Sequence, residues 1–366
     1  MSKSWSLRLC IIIGLLTFTI SAFATLATQP TLPYPVTDGT VFATAETADT
    51  LYIGGHFSYI GTWTGSGVPL ETVSKLPFAG YDAVNGEVYA CIPDGSGGWY
   101  IGGHFTEVGG SPRNNLAHVL PSGELDESWN AETDNIVACL ALGGSTLYVG
   151  GFFSQVNGAT RLRIAAVNTS NGSLVAGWNP SANEYVLAIA ATANTIFVGG
   201  NFTQIAGNPR QRLAALDAVT GNAIDWTPNP NNYVSALAIA GNMLYVGGLF
   251  SQIGGQPRTA LAAFDISSGV LQSAAPNPNG EVSVIFPYNN KVYIGGSFSS
   301  VSGSTRYQAA ALSLDLTTLQ SWNPNTNATG KVATIVNVGS SLIIGGDFVE
   351  LGGDVHKYLA EVDPET

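Results

Sequence analysis

Between residues 233 and 280 the apolar positions fall into four short runs separated by turn residues. YVSALAIA ends at Gly241-Asn242. MLYVGGLF, β-branched and aromatic, ends in a polar loop from Ser251 to Thr259 that carries Pro257. ALAAFDI closes at Ser267-Ser268-Gly269, and VLQSA closes at PNPNG. Short runs bounded by Gly, Asn, Pro or Ser predict a four-stranded antiparallel meander. No helical apolar period occurs beyond Ala24, so the chain reads as all-β.

The second run recurs along the chain, as LYIGGHF from Leu51, IFVGGNF from Ile196 and VYIGGSF from Val292. The first Gly of each GGxF gives the markers Gly54, Gly102, Gly150, Gly199, Gly247, Gly295 and Gly345, at intervals of 48, 48, 49, 48, 48 and 50 residues. A fixed period of this size with four strands inside it predicts the blades of a propeller. Eleven residues before each marker stand Ala43, Cys91, Cys139, Ala188, Ala236, Val284 and Thr334. Their small volume fits an innermost strand, where blades converge on an axis. Glycine inside a strand marks the close approach of another backbone or a large side chain, so the GG pair is expected to accommodate a neighbouring blade. Twenty-one residues before the marker comes a ring of large side chains, Tyr81, Trp129, Trp178 and Trp226; Trp322 stands 23 before its marker, and the sixth repeat has Ala274. The seventh repeat stops after its third run, while TLPYPVTDG, with Tyr34, precedes the first. The expected architecture is therefore one seven-bladed β-propeller over residues 25–366. Its blades are four-stranded, and the N-terminal segment supplies the outer strand of the last blade, which removes exposed sheet edges.

YVGGxF, a glycine-containing loop, Arg, LAxxD, TG and WNP together resemble the delta-sixty repeat of bacterial secreted and surface β-propellers. The resemblance covers essentially the whole chain beyond the leader and implies a propeller fold. It implies no catalytic residue. The first repeat departs from the pattern, with GTWTGSGVPLETVS in place of the Arg-LAxxD segment.

The N-terminus adds a compartment. Lys3 and Arg8 precede the apolar stretch Leu9–Ile20, which is followed by the small-x-small site Ala22-Phe23-Ala24. That is the pattern of a secretory signal peptide spanning 1–24, too short to be a transmembrane helix. An exported monomer in the extracellular space, cell surface or periplasm is expected, without membrane insertion. Losing Lys3 and Arg8 from 13 basic residues, against 25 acidic ones, moves the formal charge from −12 to −14. Nucleic acids and anionic membranes need a basic face and are excluded as partners. The 45% apolar content, with seven Trp, excludes disorder.

Candidate chemistry is sparse. The x of GGxF is His56, His104, Phe152, Asn201, Leu249, Ser297 and Asp347, so Asp347, His56 and His104 occupy equivalent positions on neighbouring blades. Packed sheets lie ~10 Å apart and zinc ligands converge at ~2 Å. The arc is therefore expected to be solvent-facing or ligand-contacting, with no metal or other cofactor. Arg113, Arg161, Arg210, Arg258 and Arg306 recur eleven residues after the marker, with His356 in the seventh repeat. Guanidinium groups could grip carboxylates of an acidic glycan. Recurrence in every regular blade argues instead that each Arg pins its own loop, to backbone carbonyls or to a carboxylate such as Asp217 or Asp265. Cys91 and Cys139 share the inner-strand position on adjacent blades. A disulfide is permitted outside the cell but needs Cα atoms ~4.4–6.8 Å apart, so small core residues are the expectation. The acidic run Glu124, Asp126, Glu127, Glu132 and Asp134 around Trp129 matches no EF-hand spacing. Asp94-Gly-Ser-Gly-Gly-Trp99 has the residue types of the sialidase aspartate box without its glycine spacing. Asn327-Ala-Thr is a glycosylation sequon in a loop. GxSxG, HExxH and CxxC are absent.

Two functions fit. One is a secreted, non-enzymatic propeller that binds a protein or polysaccharide at its loop face, or serves as a scaffold. The other is an extracellular hydrolase or lyase acting on sugars at the axial funnel, which requires a deep axis lined unequally by polar residues.

Overall fold

The computed structural model describes residues 37–60, 62–326 and 329–366. The leader, the Tyr34 segment expected to close the ring, and the Asn327 sequon lie outside these residues. Among the described residues there are seven three-stranded antiparallel sheets, each in chain order. Their first strands are Val41–Thr47, Glu87–Pro93, Val137–Gly143, Val186–Ala191, Val234–Ala240, Val282–Tyr288 and Val332–Val338. Their second strands, Thr50–Gly55, Trp99–His104, Thr146–Gly151, Thr195–Gly200, Met243–Gly248, Lys291–Gly296 and Ser341–Gly346, hold the GG pairs. Third strands run Gly67–Glu71, Leu116–Val119, Ile164–Asn168, Leu213–Asp217, Leu261–Asp265, Ala309–Ser313 and Leu359–Val362. Tight turns join first to second strands; in the sixth sheet Asn289 and Asn290 both take positive φ, as a type I′ turn requires.

The fourth strand is not a strand. It is reduced to single bridges to the third, such as Val167↔Leu174, Leu216↔Ala223 and Phe264↔Leu271. The segments that follow, WNPSANE and WTPNPNN, carry prolines that lack an N–H and so cannot extend a ladder. The polar loop between second and third strands forms a two-residue ribbon in every sheet, for example Gln252–Ile253 with Gln256–Pro257.

A recurrent interlock joins the sheets. A β-bulge near the start of each first strand, as between Val234 and Ala236, sets a valine out of register. Val88, Val137, Val186, Val234, Val282 and Val332 are fully buried, and each lies against the marker Gly of the preceding sheet. A Cβ on Gly54, Gly102, Gly150, Gly199, Gly247 or Gly295 would fall under 3.0 Å from that valine. The second Gly of each pair faces a carbonyl at the entry to its own first strand, such as Tyr233 O opposite Gly248. The GG pair therefore does accommodate a neighbour, and the neighbour is valine, not an aromatic ring.

The aromatic ring works at the other edge. Trp129, Trp178 and Trp322 are buried and donate their indole N–H to Asn168 O (3.2 Å), Asp217 O (3.2 Å) and Asp363 O (2.9 Å) in the turn of the next sheet. The tyrosines two residues before the marker reach the adjacent carbonyl of the same turns. Tyr100 bonds Thr169 O at 3.0 Å, Tyr148 Ala218 O at 3.2 Å, Tyr245 Leu314 O at 2.7 Å and Tyr293 Pro364 O at 2.8 Å.

The cysteines do not share a position. The second sheet has a longer turn, Asp94–Gly98, so Ala90 opposes marker Gly102 and Cys91 opposes Ile101, whereas Cys139 opposes Gly150. One residue of offset turns the side chain to the other face of a strand. Both thiols are free, and burial raises the pKa of each well above the ordinary range.

Candidate functional site

The starts of the first strands and the ends of the second strands meet on one face and surround a cavity of about 540 Å³. Its wall draws on all seven first strands. One arc is aromatic and aliphatic: Phe42, Tyr89, Ile136, Phe152, Leu187 and Tyr233. The other is polar: Ser235, Ser283, Glu281 and Lys331, with Lys331 Nζ 3.2 Å from Glu281 Oε2. Phe42 and Tyr89 lie with ring centroids 5.2 Å apart. Phe152 and Tyr185 lie 4.3 Å apart, with Arg163 5.6 Å from the Tyr185 centroid. Burial, and then the charge of Glu281, raise the Tyr233 hydroxyl above the ordinary tyrosine range. Tyr233 therefore stays a neutral donor.

The candidate arc stands at this rim. His56, His104 and Asp347 are all exposed. His56 Nδ1 contacts Glu87 of the next sheet, whose carboxylate also accepts the Tyr89 hydroxyl. Glu87 in turn faces His104 across its own sheet. Among the described residues no hydrogen bond or ion pair joins Asp347 to either histidine, and its amide bonds Lys331 O at 3.0 Å. His104 opens into a polar cleft of about 450 Å³ between the second and third sheets, with Asn114, Glu132, Asp134 and Asn157. Asp134 belongs to the loop architecture: its Oδ1 accepts the Ser154 and Gln155 amides at 2.8 and 2.9 Å. Asp38, Asn85, Asn183, Asn231 and Asn279 cap their loops in the same way.

The five arginines are spent on backbone. Each Nη1 donates to the carbonyl just before it, Pro112, Thr160, Pro209, Pro257 or Thr305, at 2.8–2.9 Å. Each Nη2 reaches a carbonyl fourteen or fifteen residues on: Glu127 at 3.5 Å, Ala176 at 3.2 Å, Ile224 at 3.0 Å, Ser273 at 3.0 Å and Gln320 at 3.0 Å. Asp217 and Asp265 are not their partners; each caps its own turn through Thr220 or Ser268.

Sequence reasoning passed over His118. It occupies the third-strand position that sheets three to six fill with Ala166, Ala215, Ala263 and Ala311, each opposite an aromatic. Its Nδ1 lies 2.9 Å from Asp126 and its Nε2 3.0 Å from Asp94, and its ring stacks on Tyr100 at 4.5 Å. Burial pushes the Asp94 carboxyl up, but bonds from Ser96, His118 and Gly98 outweigh it, and the net shift is downward. Asp126 is lowered in the same way, with Ser128 and His118 outweighing its burial. Burial and these two charges together push the Tyr100 hydroxyl up to about 12. A histidine replacing a recurrent alanine was the available signal.

The family described as "Domain of unknown function (DUF5122) beta-propeller" matches residues 93–129, the stretch from the Asp94 turn through His118 to Trp129. Among solved structures, the WD40 β-propeller domain of Doa1 aligns with 92% of this chain and 97% of its own at 11% identity, with a TM-score of 0.62. The chain is a β-propeller. The computationally designed Ika8 protein aligns with 91% of this propeller and 97% of its own chain at 11% identity, TM-score 0.59. A chain of the mitotic checkpoint complex aligns with 100% of the propeller and 99% of its own length at 12% identity, TM-score 0.60. Identities this low speak to fold alone. Among curated proteins none matches. Among the described residues no helix is long and apolar enough to cross a membrane.

Proposed function

We propose that this chain is an exported, monomeric, seven-bladed propeller that binds a polysaccharide at its axial mouth without cleaving it. A propeller fold suits a binding or scaffold module, and three contacts between the first and last sheets support ring closure. Thr44 and Thr334 hydroxyls meet at 2.7 Å, Lys75 Nζ lies 2.5 Å from Glu361, and Val41 packs on Gly345.

The observation that carries the reading is the unequal lining of the axial cavity. Half-buried ring faces on one arc offer large apolar contact at low entropic cost. Across from them, Ser235 and Ser283 donate their protons to Val282 O and Val332 O, so their oxygens offer acceptors, and the Lys331–Glu281 pair offers a donor and acceptors for hydroxyl groups. Two carboxylates at the mouth already have partners, Glu281 with Lys331 and Glu87 with His56 and Tyr89.

The same unequal lining favours, to a lesser degree, an extracellular hydrolase or lyase, with Glu281 and Lys331 as the acid–base pair. Close mutual pairing argues against it, because a general acid and base need separated protonation states. A polysaccharide screen on the purified protein tests both readings when every bound polymer is also assayed for new chain ends. Binding without new ends supports recognition, and turnover lost in Glu281→Gln establishes the enzyme. Binding confined to protein baits would assign the mouth to a protein partner.

A further inference from the structure

Between the fourth and fifth sheets three departures from the repeat meet. Phe197 stands where five other sheets carry tyrosine, so the turn carbonyl that four of those hydroxyls occupy, here Ile266 O, accepts no hydrogen bond among the described residues. Trp226 is partly exposed while Trp129, Trp178 and Trp322 are buried, and its indole bonds Gly269 O at 3.1 Å. The equivalent of its sisters' carbonyl partners would be Asp265. Phe264 is the one aromatic at a third-strand position otherwise held by Leu70, Val119, Val167, Leu216, Leu312 and Val362. A pocket of about 220 Å³ opens among these rings, with Trp226 5.7 Å from Phe197 at 80° and 5.1 Å from Phe264 at 85°.

Most polar groups of this pocket present acceptors. The Ser268 hydroxyl donates to Asp265 and the Ser267 hydroxyl to Asn242, so both point their protons away. What remains are the Ile266 carbonyl, the fully exposed Asp225 carboxylate and the Thr195 hydroxyl, which can accept as well as donate. Arg210 Nη2 is 3.6 Å from Asp225, a loose contact that solvent screens, and that guanidinium is already held by Ile224 O. A ligand complementary to this lining must bring donors and positive charge, and the faces of Trp and Phe attract a cation.

We propose that the pocket between the fourth and fifth sheets binds an alkylammonium group, with Trp226, Phe197 and Phe264 around its methylenes and Asp225 and Ile266 O facing its charge. Packing that is conserved from sheet to sheet serves the fold. Here the packing is abandoned and a site results.

Titration of the purified protein with n-butylammonium and choline, followed by Trp226 fluorescence and by its indole N–H resonance, tests this. That resonance is identified by its loss in Trp226→Phe. Saturable binding of both cations, at least about tenfold tighter than n-butanol and 3,3-dimethylbutanol, is expected. Phe197→Tyr, which restores the residue of five other sheets and fills the gap with a hydroxyl aimed at Ile266 O, abolishes it. Phe264→Leu weakens it, and a thermal melt of each variant reports folding. N-acetyl-lysine methylamide binding more tightly than butylammonium would assign the cation to a protein side chain, and weaker binding to a free amine. No saturable response, equal affinity for the neutral isosteres, or undiminished binding in a folded Phe197→Tyr variant would overturn the proposal.

Discussion

Val41 Cγ1 lies 2.7 Å from the point where Gly345 would carry a Cβ. The two residues come from opposite ends of the described chain, yet they repeat the contact that joins every other pair of neighbouring sheets. Gly345→Ala is therefore expected to destabilise the protein by roughly 1–3 kcal/mol through overpacking. In a double-mutant cycle, Val41→Ala should recover part of the loss. Additive effects, measured by urea unfolding, would mean that the two sheets do not meet in solution.

The arginine ring predicts a purely structural phenotype. Arg306→Ala strips charge-assisted bonds from Thr305 O and Gln320 O, and a loss of about 1–3 kcal/mol is expected. Arg306→Lys should rescue little, because an ammonium cannot span two carbonyls as the planar fork does. Ligand affinity at the axis should be unchanged in both variants, checked by comparing melts with binding isotherms.

Alkaline pH should weaken the fold through Tyr100. Its hydroxyl pKa is raised to about 12 by burial and by Asp94 and Asp126, whereas an unfolded tyrosine titrates near 10. Between these values the native state keeps a proton that the unfolded state has lost, so stability is full below the unfolded value and falls as pH rises through the window. Urea midpoints across that window should drop in the wild type and drop less in Tyr100→Phe.

Acid should act through the carboxylates that hold His118. Asp94 and Asp126 are lowered in the folded state, so their contribution is present above the usual carboxylate range and lost as pH falls through the folded values. His118→Ala, the residue of sheets three to six, leaves both without their nitrogen partners, at a cost of about 1–3 kcal/mol near neutral pH. The difference from wild type should shrink in acid. A difference that is constant with pH would mean the cluster contributes packing alone.

What could be read in advance followed the symmetry of the chain. The glycine period, the small inner strand and the arginine loop anchors are repeated seven or five times, and a physical cause that acts in every repeat leaves a periodic mark. The missing fourth strand was not legible, since VLQSA has strand character and only the proline segment after it decides the pairing. The one-residue offset of Cys91 hides in a longer turn that the marker spacing absorbs. His118, Phe197 and Phe264 were visible as departures from the repeat. Their meaning needed the partners they gain or leave behind, Asp94 for His118 and Ile266 O for Phe197, and these come from other turns or other sheets. The axial lining was illegible for the same reason: Phe42, Tyr89, Tyr233 and Glu281 share a cavity only once seven strands converge.

The most direct test of the account is calorimetric titration of the tightest polysaccharide from the screen into wild type, Tyr89→Ala, Tyr233→Ala and Arg258→Ala. Loss of at least about tenfold in affinity in both tyrosine variants, with Arg258→Ala unchanged and no new chain ends, is the predicted result. Affinity untouched by both tyrosine changes would contradict a binding site at the axial mouth.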